Sequence, residues 1–178
     1  MVKFDKTWTL FLDRDGVINS RVAGEYISKW DDFDFIVGSI KAIEKFSNIF
    51  GRIVVVTNQA GIGKGLMTEK QLHEVHRQFL KTIDLLDGRI DKIYYCPDKP
   101  ESKSPNRKPE TGMAMQAKAD FPEIDFSKSV MVGDSISDMD FGKRLGMTRV
   151  FIEGKKEDPS LFAPHFTFKT LKAFADAV

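Results

Sequence analysis

Two carboxylates, Asp13 and Asp15, stand two residues apart where the apolar run Leu10-Phe11-Leu12 meets Gly16. Side chains alternate faces along an extended backbone, so both acids fall on one side. At about 4 Å and an effective dielectric of about 20, their repulsion amounts to roughly 4 kcal/mol. Such a pair persists only with compensation from a bound cation, a shared proton or a basic partner. That requirement points to chemistry on a phosphate. Other polar groups stand at comparable places: Thr57 after Arg52-Ile53-Val54-Val55-Val56, Lys108 within Asn106-Arg107-Lys108-Pro109, and Asp134 after Val132-Gly133.

These residue types form a set suited to phosphoryl transfer onto a carboxylate. Asp13 is expected to attack phosphorus in line and form an aspartyl-phosphate. Asp15 is expected to protonate the leaving oxygen and then to deprotonate the hydrolytic water. Thr57 offers a hydroxyl donor to the phosphoryl oxygens, and Lys108 brings positive charge to the nucleophile and the equatorial oxygens. Asp13, Asp134 and the backbone carbonyl of Asp15 would complete an all-oxygen metal site. Oxygen ligands with waters and a phosphate favour Mg²⁺. Asp138, one helical turn after Asp134, is a candidate for metal-bound water, for the Lys108 ammonium or for a capping role.

The elements that must hold these groups alternate along the chain. Strands are predicted at 7–12, 52–57, 92–95, 129–132 and 148–152. Helices are predicted at 39–50, 68–86 with Thr68 as cap, 110–120, from 135 to about 145, and 169–177. Residues 96–109 read as a loop punctuated by Pro97, Pro100, Pro105 and Pro109. Strands alternating with helices predict an α/β fold, a Rossmann-like three-layer α/β/α arrangement around a parallel sheet. Asp13, Thr57 and Asp134 each follow a strand, and ligands of such sheets lie beyond the carboxyl ends of the strands.

The chain of 178 residues is long enough for one domain with a proper core, and residues 1–178 are read as a single domain. A formal net charge of +1 gives no global reason to expect nucleic acid or an anionic membrane as partner. The apolar run Trp8 to Leu12 is too short for a signal segment or a membrane span, so a cytoplasmic location is expected. The lone Cys96 excludes an internal disulfide and a multi-cysteine metal site. It reads as a small buried hydrophobe. His73 and His76 share a helix face without further ligand types nearby and read as surface or packing residues. Gly61-Ile62-Gly63-Lys64-Gly65 has the spacing of no nucleotide loop.

With these motifs in order, the chain resembles the haloacid dehalogenase-like phosphohydrolases. Asp13-Arg14-Asp15-Gly16 matches their first motif, Thr57 the second, Lys108 the third, and Gly133-Asp134 through Asp138 the fourth. More narrowly it is similar to the group of histidinol-phosphate and D-glycero-D-manno-heptose 1,7-bisphosphate phosphatases. The supporting residues are Asp13 to Asn19, Thr57 to Gly65, Cys96-Pro97 and Arg107 to Met113. The resemblance implies a Mg²⁺-dependent phosphatase acting on a small phosphate ester. It implies a substrate pocket lined by Asn19, Tyr26, Asn58, Gln59 and Arg107, with Ser135 able to hydrogen-bond phosphate. It leaves no room for a cap domain, so substrate selection would fall to loops 19–34, 59–67 and 96–107. The last carries Lys99, Lys103, Arg107 and Lys108, which would suit a second phosphate.

Relatives often carry a zinc loop in which Cys-x-His is followed by Cys-x-Cys. Here Cys96 stands with Asp98, Ser104 and Asn106 at the other positions, and one thiolate cannot hold a structural zinc. No zinc is expected. Heptose 1,7-bisphosphate, losing its 7-phosphate, is the first candidate substrate and histidinol phosphate the second. A receiver-like phospho-switch is a further reading, but in receivers the Thr and Lys follow the acceptor carboxylate. A nucleic-acid end phosphatase is another, against which stand the near-zero charge and the lack of an aromatic stacking surface.

Overall fold

The apolar runs of the sequence become parallel neighbours. The computed structural model describes residues 3–21, 26–154 and 158–178. Strand β1 (Thr9–Leu12) pairs with β2 (Arg52–Asn58) on one side and with β4 (Ser129–Gly133) on the other. With β3 (Lys92–Cys96), β5 (Thr148–Ile152) and β6 (Phe166–Phe168) the order is β3-β2-β1-β4-β5-β6, every pair parallel. The helices are α1 (Ser39–Ile49), α2 (Glu69–Leu85), α3 (Gly112–Asp120), α4 (Ile136–Arg144) and α5 (Leu171–Asp176).

Alternation along the strands makes the three layers. Leu10, Leu12, Val55 and Val132 pack with Ile43, Phe79 and Phe174 of α1, α2 and α5. Their neighbours Phe11, Val54, Val56 and Met131 face the other way, onto Met113 and Ala117 of α3 and Phe141 of α4. A strand covered on both faces must be apolar throughout, as β1 and the centre of β2 are. Between β1 and α1 the described residues add a short 3-10 turn at Trp30–Asp32. Trp30 stacks on Phe33 at 5.1 Å and Phe33 on Phe79 at 5.2 Å, which fastens this connection to α2.

Several boundaries shift for local reasons. β1 starts at Thr9, because the Thr7 backbone and hydroxyl are both taken by Asp5 Oδ1. β2, β3 and β4 each run one residue further than their apolar runs suggest. α3 starts at Gly112 instead of residue 110, since Glu110 closes a turn onto the Arg107 carbonyl. α5 begins after Thr170, whose hydroxyl accepts from the Ala173 amide. Edge strand β6 was not expected from the sequence; only three residues long, it has too few positions for alternation to register. Among the described residues, no helix is long and apolar enough to cross a membrane.

The strand order reverses between β1 and β4, where a doubly wound sheet opens its crevice. The register sets Leu12 beside both Val55 and Val132, and the Asp13 amide donates to the Val132 carbonyl at 2.9 Å. Asp13 therefore follows β1 at the level of Val56 and Gly133, one residue before Thr57 and Asp134.

Candidate active site

Lys108 is the hinge of the site. Its Nζ donates to Asp13 Oδ1 at 2.8 Å and to the Val56 carbonyl at 2.6 Å, and forms an ion pair with Asp138 Oδ1 at 2.6 Å. All three side chains are buried. Asn58 fixes the segment that carries the lysine: its amide donates to the Lys108 carbonyl, and its carbonyl oxygen accepts from the Lys108 amide. Burial alone would depress a lysine, but the carboxylates of Asp13 and Asp138 raise its pKa above the ordinary range. Asp13 is pushed up by burial and by the carboxylates of Asp138, Asp134 and Asp15, against the pull of Lys108.

Asp13, Asp134 and Asp138 each bring a carboxylate oxygen within 4.8 Å of the others, all three buried. A hard, all-oxygen donor set of this kind fits Mg²⁺. The chain leaves the Asp134 carboxylate space by design of its backbone: Gly16 adopts φ +93°, and a Cβ there would lie 2.2 Å from Asp134 Oδ2. Asp138 is occupied at both oxygens, by Lys108 at Oδ1 and by the Ser135 hydroxyl at Oδ2, 2.6 Å away. That arrangement makes it an anchor for Lys108 and for the start of α4. The Asp15 carboxylate is not part of this cluster.

Asp15 has its own cradle. Arg14 Nη2 donates to both of its oxygens, at 3.0 and 3.1 Å, Asn19 Nδ2 donates to Oδ1 at 2.9 Å, and Gln59 Nε2 donates to Oδ2 at 2.8 Å. Burial raises the Asp15 pKa, yet the Arg14 charge and these donors outweigh it and hold the carboxyl below its ordinary value. The repulsion expected between Asp13 and Asp15 is thus answered by one basic partner for each. Gln59 also donates to Thr57 Oγ1 at 2.9 Å, which couples the hydroxyl to the Asp15 carboxylate.

A cavity of about 290 Å³ opens over these groups, lined among others by Asp13, Asp15, Thr57, Tyr26, Arg107 and Ser135. Asn58, Gln59, Lys108 and Asp138 also reach it; Asp134 does not, lying behind Gly16. Tyr26 rests on Gly61, where a Cβ would come 2.6 Å from the ring, and Lys64 stands 5.6 Å over it. Asn19 is set differently from expectation: fully buried, it lies behind Asp15 and not in the cavity wall. The Ser135 hydroxyl reaches the cavity but is engaged by Asp138. Of the basic loop, Arg107 and Lys108 face the cavity, while Lys99 and Lys103 are exposed outside it. Among the other lining residues, Arg21 falls in the selecting loop 19–34 without being singled out, and Arg14 and Ile136 are not named as candidates. Arg14 carried a signal, an arginine set between two acids. Cys96 is buried as expected, its Sγ 3.6 Å from Asp98 Oδ2 and 3.7 Å from Ser104 Oγ.

Comparison with known proteins agrees with this geometry. Residues 8–163 match the family model described as polynucleotide kinase 3 phosphatase. The chain is 35% identical over 168 residues to D-glycero-alpha-D-manno-heptose-1,7-bisphosphate 7-phosphatase of Campylobacter jejuni, covering 94% of this chain and 93% of that protein. It is 39% identical over 137 residues to D-glycero-beta-D-manno-heptose-1,7-bisphosphate 7-phosphatase of Escherichia coli strain K12, covering 73% and 70%. In fold it matches the D,D-heptose 1,7-bisphosphate phosphatase of B. bronchiseptica, solved with magnesium and phosphate. The TM-score is 0.85 at 24% identity, over 96% of this chain and 97% of that one. The parallel sheet, the acidic cluster at its switch point and these relatives lead to one assignment: the chain belongs to the haloacid dehalogenase-like phosphatases, in the heptose 1,7-bisphosphate phosphatase group.

Proposed function

We propose that this protein removes the 7-phosphate of D-glycero-D-manno-heptose 1,7-bisphosphate by way of an aspartyl-phosphate on Asp13. The observation that carries the phosphatase chemistry is the bond between Asp13 Oδ1 and Lys108 Nζ at the floor of the cavity. It holds a carboxylate at the sheet's switch point with its charge balanced and its position fixed. Asp13 attacks phosphorus, the bond from phosphorus to the sugar oxygen breaks, and the proton on Asp15 passes to that oxygen. Water then attacks the phosphoryl group, its proton goes to Asp15, and the bond from phosphorus to Asp13 breaks. Arg14, Asn19 and Gln59 favour the ionised Asp15, the form that takes the proton from water.

Asp13, Asp134 and the Asp15 carbonyl would hold Mg²⁺, which when bound supplies positive charge to the phosphoryl oxygens. Thr57 and Lys108 donate to the same group. Arg107, Tyr26 and Asn58 face the remaining space, and Arg107 offers a guanidinium to a second phosphate or another acidic group. Asp98, Ser104 and Asn106 replace the zinc ligands of relatives and hydrogen-bond within the loop, so the loop is proposed to need no zinc. A single capless domain, located in the cytoplasm and acting on a free metabolite, is part of the same reading.

The test is phosphate release with Mg²⁺ from a panel containing both heptose 1,7-bisphosphate anomers, histidinol phosphate, hexose bisphosphates and a 3′-phosphorylated oligonucleotide. The heptose compounds are expected to turn over fastest. Preference for histidinol phosphate would move the assignment within the group. Preference for the oligonucleotide would favour the activity for which the matching family model is named.

A further inference from the structure

Arg14 is among the largest fully buried side chains of the described residues, and the phosphatase chemistry above uses only half of its guanidinium. Nε and Nη2 face Asp15. Nη1, on the far side of the fork, lies 2.9 Å from His76 Nε2. A guanidinium has donors and no acceptor, so the imidazole nitrogen must accept. His76 is therefore neutral, with its proton on Nδ1. It comes from the middle of α2, 62 residues from Arg14, and is itself buried. The Tyr95 ring stands edge-on to it at 6.0 Å, and the Phe33 ring lies 5.8 Å from the guanidinium carbon. His76 thus supplies the acceptor for Nη1, the arm of the fork that Asp15 does not engage.

We propose that His76 is a positioning residue for the active site: its Nε2 accepts from Arg14 and so aims the guanidinium at the Asp15 carboxylate. A buried donor left without a partner carries the full penalty of its desolvation. Without His76, Arg14 would be free to rotate about its terminal bonds, and the Asp15 carboxylate would follow it away from the phosphoryl group. The packing reading of His76 is thus incomplete. Burial and the Arg14 charge, with a smaller contribution from His73, keep the imidazole neutral against the attraction of Asp15, which the accepting role requires.

The catalytic consequence rests on the phosphatase reading; the tautomer does not. Long-range ¹⁵N–¹H correlation spectra of the wild-type protein, with no substrate, should show His76 neutral and protonated at Nδ1 from pH 6 to 8. In steady-state kinetics with Mg²⁺, His76→Gln places a carbonyl oxygen near the Nε2 position and should keep kcat within about threefold of wild type. His76→Phe keeps the volume without an acceptor and should lower kcat about 10- to 100-fold with KM nearly unchanged. The proposal is overturned by a proton on Nε2, by full activity of His76→Phe, or by equal losses in the two variants. Should His76→Phe not fold, the wild-type tautomer and the His76→Gln rates decide the matter. A wild-type protein inactive on every phosphate ester, with the tautomer as stated, counts against the phosphatase reading alone.

Discussion

Lys108 reconciles two acids that would otherwise repel each other inside the protein, and its removal separates their roles. In Lys108→Met, Asp13 and Asp138 lose the ammonium between them. Breaking a buried pair by removing one partner costs on the order of 3–5 kcal/mol. The urea midpoint should fall accordingly, and turnover should be lost; an unchanged midpoint would mean that the lysine does not hold the pair. Asp13→Asn works in the opposite sense. Burial and neighbouring carboxylates already disfavour the charge on Asp13, so an isosteric amide is tolerated by the fold. Thermal unfolding should shift little while phosphate release drops by more than about 10³-fold. A fully active Asp13→Asn would reject the covalent intermediate.

At the scale of elements, the turn after β1 positions the site as much as any side chain does. Gly16→Ala forces a side chain into a left-handed backbone and into the Asp134 carboxylate at once. The expected result is a sharply higher Mg²⁺ concentration for half-maximal activity, together with a loss of stability of about 1–3 kcal/mol. An unchanged Mg²⁺ dependence would mean that the carboxylate had simply turned aside. Such a turn is legible in the sequence, because Asp-x-Asp-Gly after an apolar run announces both its acids and its bend. Thr57 and Asp134 are legible for the same reason, each standing where an apolar strand stops. Lys108 was found through its motif and not through a strand. The Arg14–His76 contact could not be read at all: the spacing puts His73 and His76 on one helix face as surface or packing residues, and does not tell that His76 alone is buried against an arginine. Asn19 shows the same limit, since adjacency to a motif does not tell whether a side chain faces the cavity or backs its wall.

For the molecule as a whole, His76 also sets a pH dependence. Its pKa is lowered from 6.5 to about 3, chiefly by burial and then by Arg14. Between those values the unfolded chain takes up a proton that the folded chain refuses. Stability is therefore complete above about pH 6.5 and declines as pH falls toward 3. Chemical denaturation across that range should show this slope, and His76→Gln should flatten it; identical curves would remove His76 as the cause. Mg²⁺ should act in the same coordinate, raising the unfolding free energy by about 2.7 kcal/mol at a hundred times its dissociation constant. Unfolding temperatures with Mg²⁺ and with a chelator check this directly.

The central place of β1 has a consequence for synthesis. Its first neighbour, β2, is complete by residue 58, but its second, β4, is made only at 129–133. At about 5–20 residues per second, the nascent chain carries an open apolar strand edge for on the order of 10 seconds. Asp134 arrives with the strand that closes that edge, so a ribosome-bound chain completes the acidic cluster proposed to hold Mg²⁺ and gains its protection from aggregation in the same step.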